Sequence, residues 1–245
     1  MGPVIQAVNL TKRYPAFKSP PGFKEWVLKL PFAFRADKKP LFTALDSVSL
    51  SVKKGECLGI IGKNGAGKST LLSLLLGTSH PTEGTLRVEG KRTPLLELGA
   101  GFHPDLTGRE NATIVAVLLG LTRAEAEKKM GEIITFSEIE NFVDAPVRTY
   151  SNGMYLRLAF SVAIHANPDI LLVDEILAVG DMRFQEKCIK KMTEFKKKKI
   201  TIVLVSHSIQ QINNFCPRTI YLRDGAVRFD GNSKEATGLY SKEST

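Results

Sequence analysis

Gly62, Gly65, Gly67, Lys68 and Ser69 fall in the spacing G-x-x-x-x-G-K-S, directly between an apolar run and a leucine-rich one. Residues 57–61 read as a buried strand, and residues 70–76 read as helical, with the helix opening at about Gly67. Glycine carries no Cβ, so the backbone across Gly62, Lys63, Asn64, Gly65, Ala66 and Gly67 can curl and aim successive N–H groups into one hollow. The helix start at Gly67, Lys68, Ser69 and Thr70 adds its positive end to that hollow. The chemistry implied is capture of a nucleoside triphosphate. Lys68 is placed to reach the β- and γ-phosphates, and the Ser69 hydroxyl to ligate Mg²⁺. A chance glycine-rich turn is the alternative, and the strand before it and helix after it weigh against that.

The second chemical feature is Ile170-Leu171-Leu172-Val173-Asp174-Glu175, a continuous apolar strand ending in two carboxylates. Asp174 would hold Mg²⁺ directly or through water, and Glu175 would polarise an attacking water. A strand that ends in acids says little by itself. Downstream of a phosphate loop it implies hydrolysis.

These groups must be positioned by one sizeable core. At 245 residues and 43% hydrophobic, the chain is expected to form a single domain over 1–245. The formal charge of +9 suits nucleic acid, an anionic membrane face or a negatively charged protein, and charge alone does not choose among them. Cys57, Cys188 and Cys216 fit no metal or disulfide spacing, which points to a reducing cytosol. The sequence shows no cleavable leader and no apolar run of about 18 residues. A soluble chain that can rest against a membrane is expected.

Residues 4–10 alternate as a half-buried strand would, and Lys12-Arg13-Tyr14-Pro15 reads as a basic turn. An inserted segment over about 16–41 follows. Phe23, Trp26, Val27 and Leu30 recur at i, i+3, i+4 and i+7, which predicts a short amphipathic helix entered after Pro21 and stopped at Pro31. Its basic, aromatic surface suits either packing on its own domain or contact with a membrane or membrane partner. Strands are expected over 43–52, 85–88 and 94–98. Thr107-Gly108-Arg109-Glu110 and Thr122-Arg123-Ala124-Glu125 read as capping boxes, so residues of about 107–165 form a mostly helical subdomain. A further strand over 200–205 ends at Ser206-His207. Residues 218–230 read as a hairpin about Asp224-Gly225, and Lys196 to Lys199 as the solvated last turn of a helix.

Tyr150-Ser151-Asn152-Gly153-Met154, followed by Arg157-Leu158-Ala159-Phe160 and the Asp174-Glu175 strand, resembles the signature motif of ABC transporter ATPases. Most members of that family have Leu-Ser-Gly-Gly-Gln there. The form in this chain is similar to the subfamily that exports O-antigen and teichoic-acid polysaccharides. Ala178-Val179-Gly180-Asp181 resembles that subfamily's D-loop, Val205-Ser206-His207 its switch histidine, and residues 99–111 are similar to it as well. The resemblance covers about residues 4 to 235.

The resemblance implies an α/β fold: a P-loop NTPase core with a mainly parallel sheet, an antiparallel β subdomain and a helical insert. It implies ATP and Mg²⁺ as ligands, with Glu175, His207 and Lys68 catalytic. Tyr14 would stack on adenine, with Phe17, Phe42 or a purely structural tyrosine as the alternatives. Ser151, Asn152, Gly153 and Met154 would act on the nucleotide of a second copy, in a head-to-tail dimer holding two ATP molecules, and Asp181 would be a further nucleotide-binding residue. A serine at a helix N-terminus beside Gly153 is chemically suited to a γ-phosphate. The family places a Gln between sheet and helical insert; residues 92–106 contain none, and Glu97 is the polar stand-in for a Mg²⁺ contact. A separate transmembrane permease carrying the glycan, and a peripheral place on the cytoplasmic face of the inner membrane, are implied too. Nucleic acid is not expected as a partner. The alternative is a soluble ABC-type ATPase acting on nucleic acid or ribosomes, which the charge would suit. Such proteins usually carry two cassettes or a long coiled coil, and this sequence has neither. A nucleotide-gated binding module is a third reading, and Glu175 with His207 argues against it.

Overall fold

A computed structural model describes residues 2–15, 41–95, 99–174 and 180–244. In chain order its elements are β1 (Ile5–Pro15), β2 (Leu41–Val52), β3 (Cys57–Ile61), α1 (Lys68–Leu76), β4 (Glu83–Val88), β5 (Arg92–Leu95), α2 (Gly108–Leu118), α3 (Arg123–Ser137), a 3₁₀ turn (Val147–Thr149), α4 (Asn152–His165), β6 (Ile170–Asp174), α5 (Met182–Lys197), β7 (Thr201–Val205), α6 (Ile209–Phe215), β8 (Arg218–Arg223), β9 (Ala226–Asn232) and α7 (Ser233–Ser244).

Two sheets are built from the described strands. One is antiparallel, in the order β2-β1-β4; the other runs β5-β6-β7-β3-β8-β9, parallel except for β9. Strands β3 and β7 are buried along their whole length, as the central strands of a sheet covered on both faces must be. Their alternation therefore sorts side chains into two cores. Leu58, Ile60, Leu172, Val203 and Val205 face the core shared with the antiparallel sheet and the leucines of α1. Cys57, Leu171, Val173, Ile202 and Leu204 face the core shared with Phe160, Phe184 and Cys188 of α4 and α5. Each leucine so buried is worth about 1.5–3 kcal/mol.

The helices between β5 and β6 have a core of their own, formed by Ala112, Val115, Ile133, Leu158 and Val162 among others. Both expected capping boxes are present. Thr107 accepts from the Glu110 amide and Thr122 from the Glu125 amide, with each glutamate reaching back to the cap residue. The β8–β9 hairpin turns at Asp224 (φ 50°) and Gly225 (φ 79°), the left-handed pair such a turn needs.

Two expectations are corrected. Lys12-Arg13-Tyr14-Pro15 is strand, not turn: β1 runs on to Pro15, and Tyr14 pairs with Phe42 and Pro15 with Leu41. Three register shifts between Ala7 and Arg13 break the alternation by which a strand is recognised, which is why the basic residues looked like a turn. Strand β5 starts at Arg92, two residues before the expected 94, and is described to Leu95. The expected amphipathic helix within 16–41 lies outside the described residues.

Candidate functional site

The phosphate loop leaves β3 at Gly62 and enters α1 at Lys68. Gly62 is indispensable for a steric reason, since a Cβ there would sit 2.4 Å from the Leu222 carbonyl oxygen. Gly67 is the N-cap of α1 at φ 98°, and a Cβ there would meet the Ala44 carbonyl at 2.6 Å and the Leu45 side chain at 2.7 Å. Gly65 takes φ 82° in the open crown of the loop, and the Ala66 amide closes the turn onto the Lys63 carbonyl at 3.1 Å. Lys63, Asn64 and Ser69 are exposed, Thr70 is half-buried, and Lys68 is buried. The Lys68 ammonium donates to the carbonyls of Gly62 at 2.7 Å and Lys63 at 3.0 Å. No side chain caps the N-terminus of α1, and its first turn carries no acid. An uncapped helix start with a buried ammonium inside the loop fits a polyphosphate anion.

Sheet order then decides what stands beside that loop. Asp174 pairs with Val205, and Val205 with Ile60, so β6, β7 and β3 are consecutive neighbours in one register. Their carboxyl ends deliver Asp174, His207 and the phosphate loop to a single edge of the sheet, where open α/β folds place ligands. Asp174 is half-buried and His207 exposed. The turn carrying His207 is pinned: the Ser206 amide donates to the Ile60 carbonyl at 3.3 Å, its hydroxyl donates to Gln211 Oε1 at 2.9 Å, and it accepts from the Ser208 amide at 3.0 Å. Among the described residues no cluster of three His, Cys, Asp or Glu could hold a metal. A hydroxyl and one carboxylate, Ser69 and Asp174, fit a Mg²⁺ that takes its remaining ligands from phosphate and water. Glu97 and Glu175 lie outside the described residues.

Tyr14 is 37% exposed and Phe42, directly opposite it, 57% exposed, so Tyr14 is not a core tyrosine. The Lys12 ammonium lies 5.0 Å from the Tyr14 ring centre. Phe42 is two residues from Ala44, which packs on Gly67, so the aromatic pair borders the phosphate loop. Phe17 lies outside the described residues.

The signature stands on the helical side of the molecule. Ser151 is the N-cap of α4 and accepts from the Met154 amide at 3.2 Å, with Ser151 and Asn152 exposed. A Cβ on Gly153 would meet only the Ser151 hydroxyl, at 3.8 Å, so the outward approach is open. Met154 packs on the helical core. Asp181 caps α5 through the Phe184 amide at 2.9 Å and pairs with Arg157 at 2.8 Å. The Phe184 amide, then Arg157, holds its carboxyl below the usual range.

Gln211 and Tyr155 escape the motifs, and Arg157, which follows the signature, takes a role that no motif assigns. Gln211 orients the turn before His207, and the Ser208-x-x-Gln211 spacing, a capping pattern, could have flagged it. Arg157 joins Glu138 at 3.1 Å to Asp181, and its guanidinium lies 4.9 Å from the Phe184 ring centre. Tyr155 bonds the Gly99 carbonyl at 2.7 Å, and no sequence signal announces it.

A family model described as ABC transporter matches residues 45–178. The O-antigen export system ATP-binding protein RfbB of Klebsiella pneumoniae is 45% identical over 243 residues, 99% of each chain. The teichoic acids export ATP-binding protein TagH of Bacillus cereus is 39% identical over 98% of this chain and 43% of its own length. Among solved structures, a dimeric ATP-binding cassette in a post-hydrolysis state with ADP and Pi superposes with a TM-score of 0.74 at 24% identity, over 94% of this chain and 98% of that one, and so shares the fold. The matched span runs from β2 through the phosphate loop and the signature to just past Asp174, and on these grounds the chain belongs to the ABC transporter family of ATP-binding, ATP-hydrolysing subunits.

Proposed function

We propose that this chain energises the export of a lipid-linked polysaccharide, O-antigen-like or teichoic-acid-like, across the cytoplasmic membrane. The observation that carries the ATPase half is the β6-β7-β3 order, with Asp174, His207 and the phosphate loop on one edge. The glycan half is supported by relatives named for O-antigen and teichoic-acid export.

Within that reading Lys68 and the loop amides bind the triphosphate, and His207 contacts the γ-phosphate from the neighbouring strand. Glu175 accepts a proton from the attacking water. Mg²⁺, held by Ser69 and Asp174, would neutralise charge on the β- and γ-phosphates. Glu97 would stand in for the family's glutamine in a contact to the same ion. One chain's edge leaves the outer side of the phosphates open. Residues 151–154 and Asp181 of a second copy would close it in a head-to-tail dimer with two ATP molecules. Tyr14 with Phe42 would hold the adenine.

Family members work with a membrane permease, and no helix among the described residues is long and apolar enough to span a bilayer. The permease would therefore be a separate protein, with this chain peripheral on the cytoplasmic face. A groove of about 800 Å³ between α2 and α3 offers exposed Ile114, Val117 and Leu118 to it. Grooves of this kind accept an amphipathic helix. The test is purification from membranes with mass spectrometry of the co-purifying protein and lipid. A multi-span protein with a glycan lipid supports the proposal. Recovery of ribosomal proteins or nucleic acid instead would overturn it.

A further inference from the structure

We infer that Tyr155 is a positioning residue for hydrolysis, setting where the signature serine sits relative to the nucleotide edge of the sheet. The inference rests on the reading of residues 151–154 given above.

Tyr155 lies in the first turn of α4, four residues after the cap Ser151. Its hydroxyl donates to the Gly99 carbonyl at 2.7 Å, and its ring meets Phe102 edge-on at 5.1 Å. The ring covers the Gly99 backbone so closely that a Cβ there would lie 2.2 Å from Cε1, and Gly99 holds φ 87°. Only glycine fits beneath it. The same Gly99 oxygen also accepts the Phe102 amide at 2.9 Å, so the turn and the tyrosine share one anchor.

Beyond Phe102 the loop is fastened to α2. Asn111, fully buried, accepts from the His103 amide at 2.6 Å and donates to the carbonyls of His103, Leu106 and Thr107. Residues 99–107 are thus hydrogen-bonded to both α2 and α4. At the other end stands Leu95, fully buried in β5 and paired with Val173, the residue before Asp174. Three residues of sequence separate Leu95 from Gly99, a reach of at most about 14 Å. Gly99 is therefore tethered within that reach of the strand edge, and the Tyr155 hydroxyl ties it to the helix that Ser151 caps.

The experiment compares Tyr155→Phe, Gly99→Ala and Ser151→Ala in the full chain by steady-state ATP turnover and thermal melting. Tyr155→Phe keeps the ring and its Phe102 contact and loses only the hydroxyl. Its kcat is expected to fall about fivefold, the worth of one hydrogen bond. Its KM for ATP should stay within about twofold, because the phosphate loop is untouched. Gly99→Ala, which must displace the ring, should fall further. Unchanged kcat in Tyr155→Phe overturns the inference. Ser151→Ala then tells whether the signature reading falls with it, since that reading survives only if Ser151→Ala is impaired. A loss in Tyr155→Phe that is matched by a rise in KM and a lower melting temperature would make the contact merely structural, and also overturns the inference.

Discussion

The Lys68 ammonium donates to the Gly62 carbonyl at 2.7 Å, so the lysine at the end of the phosphate loop braces the glycine at its start. The loop's shape is held by the same charge that would meet the phosphates. Lys68→Ala removes both the charge and the brace. ATP affinity measured by calorimetry is expected to drop at least about tenfold, the value of one charge-assisted contact. The fold should persist, because α1 remains anchored by Leu71, Leu72, Leu74 and Leu75. An unchanged isotherm would show that the phosphates bind elsewhere.

Glu175→Gln keeps the size of the side chain and removes the charge that polarises water. It directly follows Asp174, the last residue of β6, at the edge where the loop and His207 meet. Turnover should fall by about two to four orders of magnitude. ATP should still bind and, unhydrolysed, should trap a dimer on gel filtration. Near-normal turnover would remove Glu175 from the catalytic role.

The nucleotide edge was legible because its parts are local. A glycine spacing, an apolar run ending in acids and two capping boxes each declare themselves within about ten residues. What escaped depends on partners far along the chain. Tyr14 read as part of a turn because its strand is defined by Leu41 and Phe42, across a segment more than twenty residues long. Tyr155 and Gly99 are 56 positions apart, and Arg157 reaches 19 residues back to Glu138 and 24 forward to Asp181. No periodicity encodes such pairs. They exist only once the two cores have set the angle between α4 and the sheet.

The Arg157 network gives a pH dependence. Glu138 accepts from Lys187 at 2.9 Å and from Arg157 at 3.1 Å, and the Lys187 contact, then the two cations' charges, holds its carboxyl below the usual range. A carboxyl depressed in the folded state stabilises above its unfolded pKa, and that stability is lost as pH falls through the folded value. The side chain is 34% exposed, so solvent screening keeps the effect small. Glu138→Gln should therefore melt slightly lower than the parent near pH 7, by about 1–3 °C. The two curves should converge as the pH falls below the ordinary glutamate range and through the depressed folded value, where the parent's carboxyl is protonated too. A gap that stays constant across that range would mean the loss is one of packing.

The last prediction concerns the base. Tyr14 and Phe42 are directly opposed across β1 and β2, and directly opposed side chains share a face of the sheet. Both are exposed, beside the strand residue that packs on Gly67. Base stacking on an aromatic side chain is worth about 1–3 kcal/mol. Tyr14→Ala is thus expected to weaken ATP binding by roughly fivefold to a hundredfold. Tyr14→Phe should restore it, since stacking uses the ring and not the hydroxyl. If the two rings form one platform, the double change to alanine should cost less than the sum of the single ones, as coupled neighbours do. Inorganic tripolyphosphate supplies the control, because it offers phosphates and no base. Its binding should be indifferent to all of these changes. If Phe42→Ala alone weakens ATP, Phe42 is the ring that meets adenine and Tyr14 serves as its support. If tripolyphosphate weakens along with ATP, the pair shapes the loop and does not hold the base.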